Sequence, residues 1–77
     1  MKMKSWKVGE LMLNGTQFEI HRRTNERQDY AEYVLTMRWW DYDSTDRPPI
    51  HKQKQIGKWW HLSEATDRLA EIVRINS

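Results

Sequence analysis

The dipeptide Asn14-Gly15 stands between two runs whose apolar residues are spaced as in strands, Ser5–Leu13 and Thr16–Arg23. A two-residue hairpin whose twist matches its strands needs positive φ at both central positions, and Asn-Gly meets that need best. This turn constrains the fold more than any other feature, because it fixes an antiparallel pair and its register. Register in turn decides which side chains share a face. In the second strand Phe18 and Ile20 face one way, and Glu19, His21 and Arg23 the other. In the first, Trp6 and Val8 share one parity while Leu11 and Leu13 share the other. Gly9 sits where the pattern slips, and a glycine at such a slip predicts a bulge.

Two further strands follow. The polar stretch TNERQD turns the chain into YAEYVLTMRWW, with Tyr33, Leu35, Met37 and Trp39 on one side and Val34, Thr36, Arg38 and Trp40 on the other. DYDSTDRPP reads as a loop, since two prolines cannot continue a ladder. KQIGKWWHL then places Ile56, Trp60 and Leu62 together, opposite Gly57, Trp59 and His61. The chain closes with a helix: Ser63 is a good N-cap, Glu64 suits the positive end of the dipole, and Ala65, Leu69, Ile72 and Val73 form an apolar stripe. Ile72 and Ile75 cannot both face the sheet if the stripe is centred on Leu69 and Val73, so one is a candidate interface residue. The expectation is one α+β domain over residues 1–77, ββββα, with strands at about 5–13, 16–24, 30–40 and 53–62 and a helix at about 64–75.

Composition decides whether such a chain folds. Apolar residues make up 38% and charged residues 31% of 77 residues, which alone leans towards disorder. Five Trp, three Tyr and one Phe argue otherwise, because each buries about 150–250 Å². Stability margin should be small, and oligomerisation is a common remedy at this size. Cysteine is absent, which excludes disulfides and Cys-ligated zinc and fits a cytoplasmic protein. No run approaches membrane-spanning length. The net charge of +2 permits nucleic-acid binding without demanding it.

If the helix covers the apolar rows of an antiparallel sheet, Phe18, Ile20, Leu35, Met37, Trp39, Trp60 and Leu62 become core. The open face then collects His21, Arg23, Thr36, Arg38 and Trp40, together with Trp59 and His61. Lys58 and the Lys52/Lys54 pair lie near its rim. Cations and aromatic planes interleaved on a sheet form a platform for single-stranded DNA or RNA: every base offers a π-face, and the cations follow the phosphates. Two other readings stay open. Cross-strand aromatic pairs stabilise sheets without any ligand, and a second protein could cover the same rings, as in a small mobile-element protein that docks on a host enzyme.

Other chemistry is weak. DYDSTD departs from a calcium loop, with Asp46 where glycine is needed and Lys52 where the closing Glu belongs. His21, His51 and His61 lie on separate segments without ligand spacing. There is no Cys nucleophile, phosphate loop or recognisable triad, so the expectation is a binding protein without catalytic residues, metal or cofactor.

Two motifs and the order of elements resemble the PC4-like single-stranded DNA-binding domains, the family of the transcriptional coactivator p15 and its bacterial and phage relatives. Met37-Arg38-Trp39-Trp40 is similar to the apolar-Arg-x-Trp end of the third strand in bacterial members. Gly57-Lys58-Trp59-Trp60-His61-Leu62-Ser63-Glu64 is similar to their Gly-Lys-Gly-Ile-x-Leu-Ser-Glu. The similarity covers about residues 33–75, and the first hairpin by topology alone. It implies Arg38, Trp40 and Lys58 as DNA contacts, a homodimer joined through the C-terminal helix, and a role in transcription, replication or recombination. The departures are Trp59 for a glycine, which adds a ring that either extends the platform or blocks it, and Trp60 for an isoleucine.

Overall fold

The computed structural model describes residues 3–27, 29–42 and 48–76. Its elements are β1 (Lys4–Leu13), β2 (Thr16–Thr24), β3 (Ala31–Asp41), β4 (Ile50–Trp59) and α1 (Leu62–Ile75). The strands form one curved antiparallel sheet in the order β1-β2-β3-β4, followed by the helix: the α+β, ββββα arrangement expected from the sequence. Asn14 (φ 50°) and Gly15 (φ 78°) supply the positive φ angles of the first turn.

Both outer strands carry a bulge. In β1 the register slips between Lys7 and Gly9, so Trp6 ends on the same side as Leu11 and Leu13. In β4 it slips opposite Leu35/Thr36: Gly57 pairs with Leu35 and Gln55 with Thr36, leaving Ile56 as the extra residue. One extra residue inverts the parity of everything beyond it. Trp59, opposite Tyr33, therefore joins the helix-side core and Trp60 does not.

The core is small. Phe18, Ile20, Leu35 and Ala65 are buried together, with Leu13, Tyr33, Met37, Ile56, Trp59, Leu69 and Ile72 packed around them. The helix rests on β3 and β4 and fully buries only Ala65. Trp59 compensates by folding back along its own strand. A Cβ at Gly57 would stand 2.8 Å from its Cη2, so at this position glycine provides room for the indole.

Because β4 ends at Trp59, the helix begins earlier than the sequence pattern implied. His61, not Ser63, is the N-cap (φ −125°, ψ 140°), and its carbonyl accepts from the Glu64 N–H at 3.1 Å. Ser63 lies inside the first turn, and Leu62, expected in the core, is exposed as the first helical residue. Thr66 donates its hydroxyl back to the Leu62 carbonyl at 2.6 Å. At the other end the Asn76 side chain donates to the Ile72 carbonyl at 2.8 Å.

Candidate nucleic-acid interface

The face away from the helix is built by the even residues of β3 and their cross-strand partners. Reading across, Arg38 stands opposite Gln17 and Gln53, Thr36 opposite Glu19 and Gln55, and Val34 opposite His21 and Lys58. A groove of about 380 Å³ crosses this face, with His21, Arg23, Arg38, Val34 and Thr36 in its lining and Lys54 at its edge. Of the residues expected here, His21, Arg23, Arg38, Trp40 and Lys58 share the face.

The others do not. Trp59 is corrected to the opposite side, where it is half-buried in the core, because the Ile56 bulge inverts the end of β4. His61 has left the sheet to cap the helix. Lys52 and Lys54 pair with Trp39 and Met37 on the helix side; Lys54 still reaches the rim of the groove, as expected, whereas Lys52 Nζ lies 2.5 Å from Asp41 Oδ2. Residues 43–47, the body of the aspartate-rich loop, fall outside the described residues.

The ring that the sequence reading missed is Trp60. It is 62% exposed and forms a T-shaped pair with Tyr30, the ring centroids 5.4 Å apart and the planes at 84°. Tyr30 belongs to the open face, since its hydroxyl donates to Glu32 Oε2 at 2.9 Å. The buried Thr24 hydroxyl fixes this corner by donating to the Tyr30 carbonyl at 2.5 Å. At the far end Trp40, 53% exposed, leans against His51 with centroids 4.9 Å apart. Glu32 to Trp40 spans roughly 26 Å of strand at about 3.3 Å per residue. An exposed tryptophan thus lies on either side of the Val34–Arg38 stretch of β3 that floors the groove, and neither ring is part of its lining.

Two carboxylates on this face are buried, which alternation alone does not show. Glu19 is 4% exposed and Glu32 6%. Glu19 accepts from His21 Nε2 at 2.9 Å and from Gln17 Nε2 at 3.0 Å, with Arg38 Nε at 3.8 Å. The His21 hydrogen bond and the Arg38 charge hold its carboxyl below the ordinary value, against the opposing effect of burial. Glu32 has Lys58 Nζ at 3.7 Å and Arg23 Nη1 at 4.0 Å. Its bond to Tyr30 raises the phenol above its ordinary value, so the hydroxyl stays a donor.

The contrast in these distances matters. Arg23, Arg38 and Lys58 sit 3.7–4.0 Å from their carboxylates, close enough to offset charge but too far for a hydrogen bond. Their positions are set while their N–H donors remain available. With Lys7 and Glu10, which are joined at 2.7 Å, the face holds four cations and three carboxylates among the described residues. Its charge is therefore nearly balanced.

Comparison of the chain with protein-family models, with curated proteins and with solved structures returns no match. Among the described residues no helix is long and apolar enough to cross a membrane, and no three His, Asp or Glu side chains converge as a metal site would require.

Proposed function

We propose that the protein binds single-stranded nucleic acid along the open sheet face, with weak sequence preference. The observation that carries this reading is the exposure of Trp40 and Trp60 on the open face, one on either side of the groove that His21, Arg23 and Arg38 line. Base–aromatic stacking contributes about 1–3 kcal/mol per base and tolerates any sequence. The arginines donate to phosphate between the two rings, and the buried glutamates hold them in position. A duplex conceals its base faces, so it cannot use the tryptophans. The resemblance to PC4-like domains supports the same reading through Arg38, Trp40 and Lys58, and the ββββα order agrees with it.

The test is intrinsic tryptophan fluorescence during titration with a single-stranded oligonucleotide and with the matching duplex. Strong quenching by the single strand at modest salt, with a weak response to duplex, is expected. Equal responses, or none, would overturn the reading and leave the exposed rings to a protein partner.

The helix-mediated dimer belongs to the same proposal. Ile72 packs against the core, whereas Ile75 is exposed, so Ile75 is the residue left for a second protomer. Sedimentation equilibrium at tens of micromolar should give a dimer, and Ile75→Glu should give a monomer; a wild-type monomer refutes this part alone.

A further inference from the structure

Separate from the groove, a cleft of about 70 Å³ beside Trp60 is lined by Glu32, Lys58, Trp59 and Trp60. The cleft is small and open to solvent, so it can take the edge of a base that stacks outside it. We infer that this cleft selects guanine at one end of the bound strand, an inference that rests on the single-strand reading above.

The stacking surface is Trp60. Its ring stands nearly perpendicular to that of Tyr30 and is 62% exposed, which leaves indole surface for a base. A base lying on that ring and turned towards the cleft meets Glu32 and the Lys58 ammonium side by side. Glu32 Oε2 accepts from Tyr30 at 2.9 Å and has Lys58 at 3.7 Å, while Oε1 has, among the described residues, only Arg23, at 4.0 Å. A carboxylate oxygen takes about two hydrogen bonds, so both oxygens retain acceptor capacity.

The four common bases respond differently to a carboxylate beside an ammonium. Guanine carries two adjacent donors, N1–H and the N2 amino group, which can pair with both carboxylate oxygens. Its O6 lies next to them as an acceptor for the ammonium. Thymine presents one N–H between two carbonyls, and one of those carbonyls must face the carboxylate. Adenine and cytosine each offer one amino group beside an acceptor nitrogen and pair with the carboxylate once. Hydrogen bonds to ionised groups are roughly twice as strong as neutral ones, and paired ones add geometric selectivity. Reading a splayed-out base by its Watson–Crick edge while it stacks on an aromatic ring is a general device of single-strand recognition.

The experiment compares short oligothymidylates carrying one dG at either end with the all-dT strand and with strands carrying dA, dC or deoxyinosine there. The full-length chain is used, and binding is read by fluorescence anisotropy of the labelled strand. One dG should tighten binding by about ten-fold at one of the two ends. Deoxyinosine, which lacks the N2 amino group, should lose most of that gain. Glu32→Gln should bring the dG-to-dT affinity ratio down to about two-fold or less. Lys58→Met, at an exposed position, tests the O6 contact independently and should lower the same ratio. A wild-type protein that binds all-dT and dG strands equally overturns the inference while the single-strand reading stands. So does a dG preference that survives Glu32→Gln and Lys58→Met. If the all-dT strand does not bind at all, the single-strand reading itself has failed and this inference falls with it.

Discussion

The two tryptophan pairs, Trp39-Trp40 and Trp59-Trp60, share a dipeptide but occupy different surroundings. In β3 the ladder is regular, and simple alternation sends Trp39 to the helix side and Trp40 to the open face. In β4 the extra residue at Ile56 reverses what alternation gives, so Trp59 turns inward and Trp60 outward. The inward members differ as well: Trp59 packs over Gly57 inside the core, whereas Trp39 pairs with Lys52 towards the end of the sheet. The comparison teaches that neighbours in a strand divide between structure and recognition, and that a single inserted residue decides which does which.

The largest effect should come from Trp59→Ala, which removes the bulkiest side chain packed on the core. A loss of about 3 kcal/mol is expected in chemical denaturation, against less than about 1 kcal/mol for Trp60→Ala, an exposed position. The opposite order in melting curves would return Trp59 to the open face and dissolve the comparison.

Gly57→Ala sharpens it. The added methyl meets the Trp59 ring at 2.8–3.0 Å and should cost about 1–3 kcal/mol by overpacking. In the Trp59→Leu background the same change should cost much less. Additivity in that double-mutant cycle would mean that the ring does not lie on the glycine.

A smaller difference concerns pH. The Glu19 carboxyl titrates lower in the folded chain than its ordinary value of 4.5, so folding gains from its ionised form. That stability is fully present above the unfolded value and disappears as pH falls through the lower, folded one. Denaturation midpoints measured from pH 6 to pH 3 should fall, and Glu19→Gln should flatten the curve. An unchanged slope in that variant would separate Glu19 from the acid response.

The smallest effect is in salt dependence. Arg38→Ala should reduce the log–log slope of single-strand binding by about 0.7, one phosphate's worth. Trp60→Ala should weaken binding at every salt concentration without changing the slope.

What the sequence made legible follows from the range of its signals. Asn14-Gly15 acts locally and fixes β1–β2, and unbroken alternation through Tyr33–Trp40 fixes both faces of β3. Gly9, at a visible slip in parity, marked the first bulge. The second bulge lies beside Gly57, the same kind of signal, but Ile56, Trp60 and Leu62 form a false apolar row that conceals the slip. Ser63 has the chemistry of an N-cap, yet the end of the ladder at Trp59, a tertiary event, starts the helix at Leu62. Alternation places Glu19 with His21 and Arg23 on the open face, but the burial of Glu19 and Glu32 arises from neighbours on other strands that no local pattern reveals.

The bulges also affect how copies of this chain behave in a crowded solution. Among the described residues all five lysines, Lys4, Lys7, Lys52, Lys54 and Lys58, lie in the outer strands, and the inner strands carry arginine instead. An outer strand exposes a row of unpaired amides to which any stray strand could add, and irregular spacing with flanking ammonium groups discourages that growth. The residue that turns Trp60 towards the open face therefore also breaks the template along β4. Growth into fibres by strand addition is thereby disfavoured at both outer edges, independently of what covers the two exposed tryptophans.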